Sequence, residues 1–178
     1  MGTIFSEKPI KLFIGFILSD CSLLDTVYQE FEHLFGPTDT QSELFDFSHT
    51  DYYSKEMGAP LKKGFVSFSN PVLPSQLSSI KIQTNKIEDR YKINLLRKVN
   101  IDPGIISLHH VLLLSTKDFS HRIPLGKGIY AELTLLFSQG HFQTVPWTYP
   151  DFSRVDYQGY FLNVRDLFQS QRKEKDVS

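Results

Sequence analysis

Within eight residues the chain sets Ser115, Thr116, Lys117, Asp118, Ser120, His121 and Arg122. Lys117 and Arg122 supply the fixed positive charge that holds a phosphate or a carboxylate. Histidine is the residue type whose charge changes near physiological pH, so His121 is a candidate to move a proton as general acid or base. Gly126 and Gly128 follow, and a residue without Cβ lets the backbone come close to a ligand. Further on, Glu132 sits inside the apolar run "GIYAELTLLF". Strand alternation gives it a face with Tyr130 and Thr134, and leaves Ala131, Leu133 and Leu135 the other. A carboxylate there needs water, a cation or a basic partner. Lys117 and Arg122 are the candidates, and a solvated face or a structural salt bridge is the alternative.

Three other clusters carry chemistry. "DYYSKEMG" offers Asp51, Tyr52, Tyr53 and Glu56 on a segment with turn chemistry and no clean period, where functional residues concentrate. "NIDPG" offers Asn100 and Asp102 at the end of a strand, and an Asp-Pro-Gly turn is the plain alternative. "PWTYPDF" offers Trp147, Tyr149 and Asp151; its aromatics either stack on a flat ligand or cover the core under a loop. The candidate catalytic residues are His121, Glu132 and Asp51. Lys117, Arg122, Tyr52, Trp147 and Tyr149 are the candidate ligand-binding residues, and Asp102 and Glu56 are carboxylates able to position a divalent metal. These assignments require distant residues to meet at one water-accessible hollow at an end or face of a sheet.

Other features narrow the field. The sequence has no G-x-x-x-x-G-K-[ST], G-x-G-x-x-G or G-x-S-x-G, so common phosphate loops and the nucleophile elbow are missing. "TKD" only partly matches the guanine-reading N-K-x-D element. Cys21 is the single cysteine, which excludes an intrachain disulfide and a cysteine zinc cage and suits a reducing, cytoplasmic setting. A net charge of −1 and pI near 6.6 give no overall basic field, making nucleic acid an unfavoured partner. Lys62 and Lys63 read as solvated surface. His109 and His110 are adjacent, so they cannot face one way on a strand. The apolar stretch Leu12–Leu18 is too short for the roughly 20 residues of a membrane span and reads as a first strand.

The elements that must hold these residues follow from periodicity. Residues 11–19 read as a central strand. Leu23, Leu24, Val27, Phe31, Leu34 and Phe35 make one helix face, capped by Ser22 and stopped by Gly36-Pro37. Residues 42–48 and 62–69 alternate as strands. From Pro74, Leu77, Ile80, Thr84, Ile87 and Tyr91 mark a helix, with Lys81, Lys86, Glu88 and Arg90 on its solvated face. Residues 93–101 read as a strand. Residues 105–118 suit strand or helix equally. Residues 128–142 form a strand entering a turn at Gln139-Gly140, and a last helix frays over 172–178. The expected fold is a single α+β domain over 1–178. It begins as a ferredoxin-like βαββαβ unit and has a mostly antiparallel sheet, helices on one face, extra strands and a C-terminal helix.

"DYYSKEMG", "NIDPG", "STKDFSHRIPLGKGIYAELTL" and "PWTYPDF" resemble the bacterial family called domain of unknown function 4416, through nearly the whole chain. The resemblance implies a single-domain protein of this length, some of whose relatives carry the label GTP-binding protein; it implies no catalytic residues. The functional expectation is a small anionic ligand, such as a nucleotide or phosphorylated metabolite, held by Lys117 and Arg122, with hydrolysis or group transfer as the possible chemistry. A protein-interaction domain is the alternative. Nucleic-acid binding on the sheet is the third, and it needs exposed aromatics at Phe65 and Phe68.

Overall fold

Eight consecutive buried residues, Lys11–Leu18, form β1, and burial of every position means that both faces of this strand are covered. The computed structural model describes residues 2–3, 6–48, 53, 56–94 and 96–177. The even-numbered side chains Leu12, Ile14, Phe16 and Leu18 pack against α1 (Leu24–Phe35) and α2 (Leu77–Arg90). Phe13 points the other way, its ring centroid 5.1 Å from that of Phe161 in α3 (Val155–Val177). The two crossover helices therefore share one face, and the C-terminal helix covers the opposite one, where the sequence had placed all helices together. The reason lies in β1 itself, whose uninterrupted apolar run leaves a second face to bury.

The strands are β2 (Thr38–Gln41), β3 (Phe45–Asp46), β4 (Lys62–Phe68), β5 (Lys92–Ile93), β6 (Leu96–Arg97), β7 (Val99–Ile106), β8 (His110–Ser115), β9 (Arg122–Gly126), β10 (Ile129–Ser138) and β11 (His141–Thr144). The main sheet runs β11-β10-β8-β7-β1-β4-β2, with β3 on β4 and β9 on β10, and its neighbours are antiparallel. The protein is thus a single-domain α+β fold. The order β7-β1-β4-β2 around two crossover helices is compatible with a ferredoxin-like start. β5 and β6 form a separate hairpin.

Several local expectations change. Asp20, not Ser22, caps the turn before α1, accepting from the Ser22 amide at 2.9 Å. Residues 105–118 are neither one strand nor one helix: β7 ends at Ile106 and β8 begins at His110. Asp102-Pro103-Gly104 lies within β7 rather than in a turn. Phe65, Val66 and Phe68 are fully buried, so β4 offers no aromatic platform for nucleic acid. Among the described residues, no helix is long and apolar enough to cross a membrane.

One irregularity shapes the molecule. β7 and β8 pair only at Gly104–Ile106 against Val111–Leu113; beyond Gly104 the strands part. Backbone groups alternate sides along a strand, and the amide and carbonyl of Ile101 face away from β1, toward side chains of α2. Pro103, two residues on, turns its nitrogen to the same edge and has no N–H to donate. The ladder stops there.

Candidate functional site

The opened sheet contains a cleft of about 770 Å³. Asn100 and Asp102 of β7 line one side, and Leu113 and Leu114 of β8, with Lys117 just beyond, line the other. Gly15 of β1, paired with Asp102, lines it without a side chain. A Cβ on Gly15 would come within 3.1 Å of the Phe65 ring.

The β9–β10 hairpin sets the next wall. Lys127 and Gly128 form its turn at φ of 55° and 72°, and two-residue hairpin turns favour positive φ at both positions. No atom lies within 4 Å of an added Cβ at Gly126 or Gly128; their positive φ of 89° and 72° is what the turn requires of them. The resulting register puts Arg122 directly opposite Glu132, where cross-strand side chains meet. Arg122 is therefore the partner of Glu132, with Nε donating to Oε2 at 2.7 Å. Its other donors go to the Lys117 carbonyl and the Tyr149 hydroxyl, both at 2.9 Å. Glu132 is only 1% exposed, and among the described residues its Oε1 has no hydrogen-bond partner. A bulge between Leu133 and Leu135 reverses the alternation. Leu135 consequently packs with Val111 and Phe161, on the face that plain alternation reserved for Glu132.

Glu56, Asp102, Lys117, Arg122, Glu132 and Tyr149 all line this cleft. His121 and Trp147 do not; they stand behind Glu132. The His121 Nε2 lies 3.2 Å from Glu132 Oε2, and its ring stacks on Trp147 at 5.0 Å and 10°. The Trp147 indole donates to the Leu133 carbonyl at 2.7 Å. Asp51 and Tyr52 lie outside the described residues.

Sequence reasoning missed half of the charged lining. Lys63, expected at the surface, is 7% exposed and paired with Asp151. Its ammonium lies 4.7 Å from the Phe152 ring centroid and 5.5 Å from that of Phe65, an arrangement favourable to a cation. Extending the alternation of Phe65 back by two residues would have placed it inward. Lys81 and Glu88, expected on a solvated helix face, are also buried. Lys81 donates to the Ile101 carbonyl at 2.9 Å and Glu88 accepts from the Ile101 amide at 2.5 Å. Arg97 donates to both Glu56 oxygens at 2.7 Å, to Glu88 at 3.1 Å and to Asn100 at 2.9 Å. Asn100 in turn donates to Asp102 at 2.7 Å.

These contacts set the protonation chemistry. Burial pushes the Glu88 carboxyl above the usual range, and neighbouring Asp102 adds to it. The Arg97 bonds hold Glu56 below that range. Asp102 foremost, then burial, raises the Tyr53 phenol. Burial raises Tyr149 first, followed by the Glu132 charge, with Asp102 contributing. Among the described residues no three His, Cys, Asp or Glu side chains are grouped to hold a metal ion, and both Glu56 oxygens are engaged by Arg97.

The architecture is that of an α+β domain whose antiparallel sheet opens between two strands over a polar, charge-balanced cleft. The chain belongs to the family described as Domain of unknown function (DUF4416), which matches residues 8–168. No curated protein and no solved structure matches it.

Proposed function

We propose that the protein binds a small anionic ligand, from the class of nucleotides and phosphorylated metabolites, in the cleft between β7 and β8. The supporting observation is the parting of these strands beside Lys117, Arg122 and Tyr149, which gathers two cations and a phenol at one water-accessible wall. Arg122 can exchange its bonds to Tyr149 and the Lys117 carbonyl for ligand oxygens while keeping Glu132, since a guanidinium offers five donors. In this reading His121, which lies outside the cleft lining and reaches it only through Glu132 at 3.2 Å, holds Glu132 in place and transfers no proton to the ligand itself.

A thermal-shift screen of the full chain against nucleotides and sugar phosphates tests this reading. A ligand at a hundred times its dissociation constant adds about 2.7 kcal/mol. Arg122→Ala and Lys117→Ala should each abolish the shift relative to the same variant without ligand. An unchanged shift in both variants, or no shift across the screen, overturns the reading.

A protein-interaction surface is the second reading. Phe119 and Ile123 are 63% and 65% exposed, next to and on the outer strand β9, and the Phe119 ring lies 5.2 Å from that of His121. Earlier elution in gel filtration with a partner, lost in Ile123→Ser with ligand shifts intact, would favour it.

A further inference from the structure

We infer that the cleft takes a zwitterion, a ligand whose amine is seated at Asp102 and Glu132 while its acid group lies at the Lys117–Arg122 wall. This deepens the anionic-ligand reading and rests on it for the acid half. The amine half rests on which hydrogen-bonding groups the cleft leaves over. All three Arg122 nitrogens already donate within the protein, and so do those of Arg97. Lys63 is engaged by Asp151, and Lys81 by the Ile101 carbonyl.

The acceptors are less occupied. Glu132 lines the cleft, is almost fully buried, and among the described residues keeps Oε1 without a hydrogen-bond partner. A buried carboxylate oxygen left so is costly until a donor reaches it. The Asp102 side chain is 37% exposed, and its Oδ1 lies 3.5 Å from the Lys81 ammonium, a long contact for an ion pair. The fields of both carboxylates reach the Tyr149 hydroxyl, and that of Asp102 also reaches Tyr53. Carboxylates beside aromatic rings form the surroundings that an ammonium group favours.

Net charge points the same way. Among the described lining residues, lysines and arginines equal carboxylates in number. A ligand with several negative charges would add them to a cleft whose own cations and carboxylates already balance, leaving the excess uncompensated. A single acid group balanced by an amine leaves the cleft neutral. Within the anionic class, this favours amino acids and amine-bearing phosphates over nucleoside di- and triphosphates.

Isothermal titration of the full chain tests the assignment. The probes are a set of L-α-amino acids and O-phosphoethanolamine, which carry both groups; ethylene glycol monophosphate and succinate, which carry acid alone; and ethanolamine and putrescine, which carry amine alone. The expected result is saturable binding of a two-group probe, with its amine-free analogue roughly ten- to a hundredfold weaker, as for one lost charged hydrogen bond. Asp102→Asn should erase that difference, and Glu132→Gln should reduce it. Equal affinity for the acid-only analogue overturns the amine seat and leaves the anionic reading standing. Equal affinity for the amine-only probes overturns the anionic reading and leaves the seat. Binding of none of the probes overturns both.

Discussion

Glu88 and Ile101 are related as two neighbouring strands would be: the carboxylate on α2 accepts the strand amide at 2.5 Å. One helical face thus supplies both the acceptor and, through Lys81, the donor that β8 withholds from β7. Buried backbone groups must find partners, so a sheet can open internally only if something replaces the missing ladder. Two charged side chains on α2 do so, and the cleft exists because they do.

Glu88→Ala should strand the Ile101 amide and destabilise the protein by about 1–3 kcal/mol. Glu88→Gln keeps an acceptor and should lose clearly less. Urea denaturation of the two variants separates these outcomes; equal losses would mean that the amide does not depend on Glu88.

Glu88 and Glu56 should titrate in opposite directions from the ordinary value of 4.5. The Glu88 carboxyl is raised, so between pH 4.5 and its folded value the native protein holds the proton more tightly than the unfolded chain. Its contribution is complete below about pH 4.5 and is lost as pH rises through the folded value. Glu56 is lowered, so its contribution is present above pH 4.5 and is lost as pH falls through the folded value. Carbon-13 NMR of the side-chain carboxyls checks both. A Glu88 midpoint at or below that of Glu56 contradicts the assignment.

Arg122→Ala should cost about 3–5 kcal/mol, because it leaves the Glu132 charge buried without its main partner. Replacing both residues with Leu and Met should recover much of that loss. A double-mutant cycle by chemical denaturation measures the coupling; additive single losses would show that the pair contributes no interaction of its own.

What the sequence disclosed depended on how local the cause was. The inward faces of α1 and α2 follow from spacing alone, since Val27, Phe31, Ile80 and Ile87 are buried where periodicity puts them. The pairing of Glu132 with a nearby cation was legible because a carboxylate in an apolar strand demands one. Choosing Arg122 required the hairpin register, which the turn at Lys127-Gly128 fixes. The burial of Lys81 and Glu88 was hidden, because it depends on Pro103 interrupting a ladder some residues away. The Asp-Pro-Gly segment misled for the same reason. Its proline looks like a turn residue, yet it ends a strand pairing and leaves the strand itself intact. The bulge at Leu133–Leu135 left no mark in composition and altered which face Leu135 serves.

Gly104 and Gly159 give a last, opposed pair. An added Cβ at Gly104 would lie 2.5 Å from both the Leu112 carbonyl oxygen and the Phe13 ring. The backbone oxygen cannot move aside without disturbing the short stretch where β7 and β8 still pair. Gly104→Ala should therefore cost about 1–3 kcal/mol through overpacking, and should loosen the strand contact that closes one end of the cleft. Gly159 lies exposed within α3 with no atom inside 4 Å of an added Cβ. Gly159→Ala should stabilise the protein by roughly 0.5–1 kcal/mol, since alanine loses less backbone freedom on entering a helix. Thermal denaturation of the two single variants provides the comparison. If Gly104→Ala melted no lower than the parent protein, the close packing of β7 on β1 and β8 would be wrong, and the placement of the cleft with it.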